Sequence, residues 1–108
     1  MFDTKEEVLE AVYGKWGKLY RKLLMERDRE KYYSLLAARE LHDYITEIDV
    51  RAEHLYKKTL NDLKAKKRIT PSLKESNPRL WQKRMTAAEK QAREVVFQTV
   101  ILSDEMNN

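Results

Sequence analysis

The chain has no cysteine. That excludes a disulfide framework and a thiolate metal centre, and it agrees with an expected reducing, cytoplasmic setting. Glycine and proline number two each among 108 residues, too few for a loop-rich fold or a glycine-rich phosphate cradle. No apolar run approaches the roughly 18 residues of a membrane span. The stretch Met1 to Glu10 is acidic where a signal peptide is basic and then apolar, so neither a membrane segment nor a leader is expected. No Ser or Cys nucleophile motif is present, and no strand-turn-helix setting for one. No enzymatic activity, cofactor or resident metal is therefore expected. A chain of this size forms one domain over residues 1–108, with 1–3 and 104–108 expected to fray.

Charge is abundant, at 37% of residues, and its distribution is uneven. From Lys57 to Arg93 twelve Lys or Arg stand against three acids, Asp62, Glu75 and Glu89, whereas residues 1–54 hold ten basic against twelve acidic. The second half thus carries all the net positive charge. Such a field suits a phosphate backbone or an acidic protein surface.

The periodicity is helical throughout. Thr4 followed by Glu7 forms a capping box, from which a first helix is expected to run to about Glu26. Val8, Val12, Trp16, Leu19, Tyr20 and Leu23 share its apolar stripe. Gly14 and Gly17 lie inside it, and each costs a helix roughly 1 kcal/mol relative to Ala. The pair therefore implies close approach of another backbone, with a break near Tyr13 as the alternative. Asp28 is suited to cap a short helix from Arg29 to Ala38, whose apolar side is Tyr32, Tyr33, Leu35 and Leu36. A third helix, about 40–67, carries Leu41, Ile45, Ile48, Ala52, Leu55, Thr59 and Leu63 in steps of three and four. Thr70-Pro71 and Asn77-Pro78 each pair a capping side chain with the residue favoured at the first helical position. They bracket one short turn and open a last helix, about 78–102, with Trp81, Met85, Ala88, Ala92, Val95 and Thr99 as its core stripe. The expected fold is an all-α antiparallel bundle built on the two long helices, with an N-terminal helix and one or two short ones.

Several combinations of residues are more specific than this pattern. They are Tyr-Gly-x-x-Gly (Tyr13, Gly14, Gly17), Leu-x-Glu (Leu24, Glu26), Tyr-x-x-Leu-Leu (Tyr32, Leu35, Leu36), and Leu41 followed by Glu47-Ile48-Asp49 and Ala52. The C-terminal half adds Ile69-Thr70, Leu73-Lys74, Trp81, Met85 and Ala92-x-Glu94-Val95-Val96. Over residues 13–102 the chain resembles TnpV, a family of small proteins encoded by transposons and related mobile elements of Gram-positive anaerobes. It departs at Arg39, where the family tends to have Gly, and around Asn77 to Arg79, where Asp-Gln-Met is usual. The resemblance implies a mobile-element setting and an accessory role, with no assigned enzymatic activity.

His42 and His54 fall about 120° apart around the third helix and so do not share a metal, and Asp43 and Glu47 lack the Glu-x-x-His spacing of a di-iron bundle. A helix-turn-helix over Ala38 to Ile48 is disfavoured, because His42 and Asp43 stand where the turn needs Gly and then an apolar residue, and helical periodicity runs on. The basic residues are the better candidates for a binding surface. Lys64, Lys66, Lys67 and Arg68 end the third helix, where they also complement its dipole. Arg79, Lys83 and Lys90 recur on the outward face of the last helix, and Lys15, Lys18 and Lys22 on a flank of the first. Together they are expected to form one macromolecule-binding surface. Trp16 and Trp81 lie on apolar stripes and are expected in the core, not as platforms for bases. Phe97 and Ile101, opposite the core stripe, are expected to support self-association as a homodimer.

Two functional classes follow from this pattern. One is a non-catalytic accessory protein that binds a macromolecule, with DNA slightly favoured, through the basic surface. The other is a protein-binding inhibitor or adaptor acting on host machinery, in the manner of an anti-CRISPR inhibitor of a nuclease complex. The expected partners are thus DNA or a protein–nucleic acid complex, and no membrane.

Overall fold

The computed structural model describes residues 13–102 as five α-helices and a closing π-helical turn. The helices are α1 (Lys15–Arg27), α2 (Arg29–Ala37), α3 (Leu41–Lys66), α4 (Pro71–Ser76) and α5 (Pro78–Val96), followed by the π turn Phe97–Leu102. No strand occurs among the described residues, and the all-α expectation holds. The Thr4–Glu7 capping box and the frayed ends at 1–3 and 104–108 lie outside them.

The first helix is not continuous through Gly14. Gly14 is extended (φ −75°, ψ −177°) and serves as the N-cap of α1. With no side chain of its own it offers no capping oxygen, and the helix takes one from α3. The Asp49 carboxylate accepts from the Gly14 and Gly17 amides, each at 2.8 Å. The close approach expected at the two glycines is therefore made by a carboxylate side chain rather than a backbone. A Cβ on Gly14 would lie 3.1 Å from Asp49 Oδ1, and one on Gly17 3.0 Å from the Tyr13 Cβ.

Local caps fall where the sequence puts them. Asp28 Oδ1 accepts from the Lys31 amide at 3.1 Å, Thr70 Oγ1 from Leu73 at 3.1 Å, and Asn77 Oδ1 from Leu80 at 3.2 Å. The C-termini of α2 and α3 use one device twice. After α2, Glu40 N–H reaches Leu35 O at 2.9 Å and Arg39 N–H reaches Leu36 O at 3.1 Å; after α3, Ile69 reaches Lys64 O at 2.9 Å and Arg68 reaches Ala65 O at 3.3 Å. These are Schellman closures, which need a left-handed residue beyond the cap. Arginines fill both positions, Arg39 at φ 62° and Arg68 at φ 54°. The helical periodicity expected to continue through Ala38 to Ile48 is thus broken at Arg39. Of the apolar side expected on α2, Tyr32 is buried and Leu35 half-buried, but Tyr33 and Leu36 face solvent.

Packing divides the molecule into a thick end and a thin end. The larger core gathers Trp16, Tyr20 and Leu24 of α1, Tyr32 of α2, Leu41, Ile45, Ile48 and Ala52 of α3, and Val96, Val100 and Ile101. The smaller contains Leu63, Ile69, Ala88 and Ala92, with Leu60, Trp81 and Met85 packed around it. The α3 rod, about 39 Å long at 1.5 Å per residue, therefore does not protrude alone. It pairs along its length with α5, and alanines at positions 52, 88 and 92 sit fully buried in the structure, letting the two axes come close.

At the end of α5 the expected stripe is overturned. The buried positions are Ala88, Ala92, Val96 and Val100, while Val95 is half-buried and Thr99 exposed. A turn closed by i→i+5 bonds holds more residues than an α turn, so steps of four stay on one face. The same change turns Ile101 inward. It is 0% exposed inside a single chain, and Phe97 is half-buried against the larger core. The burial that these residues demand is supplied within the protomer, which leaves Ile101 no surface to offer a second copy.

Candidate functional site

The ten candidate cations fall into two groups placed along the length of α3. Lys15, Lys18 and Lys22 are on α1, which packs on the half of α3 that carries Asp49. Lys15 is occupied locally, with its Nζ 4.8 Å from the Tyr56 ring centroid and 5.6 Å from that of Trp16. Lys18 and Lys22 edge an open hollow of about 540 Å³ together with Leu19, Arg21, Met25, Glu26 and Arg29. Arg21 is itself 8% exposed and donates to the Tyr32 hydroxyl at 3.1 Å. Burying a guanidinium is tolerable only with such partners.

The remaining candidates collect at the thin end. Lys66, Lys67 and Arg68 close α3, Arg79 and Lys83 are in the first two turns of α5, and all five are exposed, as is Lys90 further along. Lys64 is half-buried beside them. Two residues outside the expected set tie this end together. Arg84 Nη1 donates to the Lys67 carbonyl at 3.3 Å, satisfying an open acceptor at the α3 terminus. Lys74 Nζ stands 4.7 Å from the Trp81 ring centroid. Lys67 Nζ donates to Gln91 Oε1 at 3.2 Å. Among the described residues these contacts run to a carbonyl, an amide and a ring, and none of them to a carboxylate.

Trp16 and Trp81 differ. Trp16 is 4% exposed, as expected of a core residue, and its indole N–H has no hydrogen-bond partner among the described residues. Trp81 is half-buried and lines a second open hollow of about 270 Å³ with Lys64, Ile69, Thr70, Pro71 and Lys74. Trp81 packs against the smaller core, as its place on the apolar stripe predicts, but it is only half-buried, because the thin end is two helices and one short helical turn thick. Lys74 was not legible as its neighbour. The two are seven positions apart across the Asn77 break, where helical spacing carries no meaning.

No cluster of His, Cys, Asp and Glu able to hold an ion occurs among the described residues. His42 instead stacks on Tyr13 at 5.6 Å between centroids, with Tyr13 Oη 3.2 Å from its Nδ1. Burial pushes the Tyr13 phenol above its ordinary value, against an opposing pull from the Arg21 charge. Tyr13 thus stays protonated at neutral pH.

The specific residue combinations meet in space. Tyr13-Gly14-x-x-Gly17 and Glu47-Ile48-Asp49 form the α1–α3 latch. The family model for the transposon-encoded protein TnpV matches residues 2–101. The chain belongs to the TnpV family. No curated protein matches it, and no solved structure does. Among the described residues of this TnpV protein no helix is long and apolar enough to cross a membrane.

Proposed function

We propose that this TnpV protein is a non-catalytic accessory protein of a mobile element that binds DNA through its basic thin end. The observation that carries the reading is the gathering of Lys66, Lys67, Arg68, Arg79 and Lys83 from two helix termini onto one end of the molecule. Exposed cations held on rigid helix ends neutralise phosphates and release counterions, which gives affinity without base reading. The test is duplex DNA titrated at two or more salt concentrations. Affinity is expected to fall with a log–log slope of about −0.9 per phosphate contact. Joint Lys83→Ala and Lys90→Ala substitution is expected to weaken binding to all sequences alike and to make the slope shallower. No binding at about 50 mM salt rejects the reading.

A second reading, a protein-binding inhibitor or adaptor of host machinery, is favoured by the hollow on α1. There Leu19 and Met25 offer apolar contact within a rim of Lys18, Lys22, Glu26 and Arg29, the arrangement of an anchor pocket with a charged rim of mixed sign. Co-purification of a protein that survives nuclease treatment and is lost in Met25→Asp supports it over DNA binding.

A further inference from the structure

The hollow beside Trp81 has features that phosphate binding alone does not require. Its lining combines an indole with two ammonium groups, Lys64 and Lys74, and includes no carboxylate. The Trp81 ring is approached by a lysine head, 4.7 Å from its centroid. Trp81 is half-buried and lines the open hollow, so part of its ring is within reach of solvent. Trp16 offers no such face, being 4% exposed.

The backbone around this indole is hydrogen-bonded at several points. Ile69 is buried and closes the α3 terminus through its amide. Thr70 and Asn77 cap the two helices that flank the hollow, and Arg84 binds α5 back to the Lys67 carbonyl. A platform for a planar ligand needs a braced aromatic ring and a counter-charge beside it; the capped helices brace the backbone here, and Lys64 and Lys74 supply the charge. An exposed cation–π contact is weaker than a base stacked on an aromatic ring. An arriving base therefore displaces Lys74 from the ring, and the freed ammonium is placed to meet the phosphate.

We propose that Trp81 is a stacking platform for an unpaired nucleobase, with Lys64 and Lys74 holding the accompanying phosphate, so that the protein prefers single-stranded over duplex DNA. This rests on the nucleic-acid reading above and names the form of nucleic acid that it takes. Within a duplex both faces of each base are already stacked, so the platform gains nothing there.

Trp16→Phe leaves Trp81 as the reporter of indole fluorescence and breaks no hydrogen bond of the Trp16 N–H among the described residues. In this background a short oligothymidylate is titrated beside an abasic strand of equal length and beside duplex DNA. Quenching of Trp81 by the oligothymidylate, with affinity about tenfold or more above that for the abasic strand, is the expected result. Anisotropy of a labelled strand should show that preference lost in Trp81→Leu and retained in Trp81→Phe, which guards against a folding defect. Equal binding of abasic and base-carrying strands without quenching overturns the platform and leaves the phosphate-binding reading standing. Absence of binding by any strand at about 50 mM salt overturns both. Quenching by polyglutamate that no strand displaces overturns both in favour of an acidic protein partner.

Discussion

The Asp49 carboxylate holds the Gly17 amide at 2.8 Å across a sequence separation of 32 residues. Its other oxygen takes the Gly14 amide, so a single side chain caps α1 and docks it on α3. Helix N-termini favour such a negative group through both their open amides and their dipole. Replacing Asp49 with Ala is expected to cost about 2 to 3 kcal/mol, since two charge-assisted bonds are lost, and Asp49→Asn about half of that. Gly17→Ala tests the same latch from the other side. In an open helix it is stabilising by about 1 kcal/mol. Here the new methyl would meet the Tyr13 Cβ at 3.0 Å and the Asp49 Cβ at 3.1 Å. Neither atom is the end of a flexible chain, so a net loss is expected. Urea unfolding followed by circular dichroism measures all three variants, and a stabilised Gly17→Ala would mean that the latch yields easily.

Two arginines occupy left-handed backbone, Arg39 at φ 62° and Arg68 at φ 54°. A residue with a Cβ is disfavoured there by roughly 1 to 2 kcal/mol, and Gly is not. Arg39→Gly and Arg68→Gly are each expected to raise stability by about 0.5 to 1 kcal/mol, after allowing for the greater freedom of Gly in the unfolded chain. Thermal melting checks the gain. The pair also separates stability from binding, because Arg68 lies in the basic end and Arg39 does not. Only Arg68→Gly is expected to weaken DNA binding.

Alkaline pH is expected to destabilise the protein partly through Tyr13. Burial holds its phenol above the ordinary value of 10.0, so the unfolded chain releases the proton first. The contribution is complete below that unfolded value and is lost as pH rises toward the folded one. Tyr13→Phe removes this component, along with the bond to His42. The difference between wild type and Tyr13→Phe in urea midpoint should therefore shrink between about pH 8 and about pH 11. A constant difference would show that the phenol titrates alike in both states.

The parts of the fold legible in the sequence were those set within about four residues. Asp28, Thr70 and Asn77 cap because each oxygen meets an amide three positions on, and that reach is the same wherever the helix sits. The α3 stripe from Leu41 to Ala52 was legible because one face is buried along its whole length. The register at the end of α5 was not. Counting at 100° per residue places Thr99 inside and Ile101 outside, and the π turn reverses both.

The basic end shows where the division falls. Composition and helix-terminal spacing alone determined that this TnpV protein is helical, that its net positive charge lies in the second half, and that Lys64 to Arg68 end a long helix. Only the tertiary structure decided that Lys18 and Lys22 line a separate hollow, that Asp49 is the missing cap of α1, and that Trp81 opens to solvent beside Lys74. Periodicity reports which face of a helix is apolar. Whether a second helix covers that face depends on how far the partner extends, and here the layer covering α5 thins beyond Ala88.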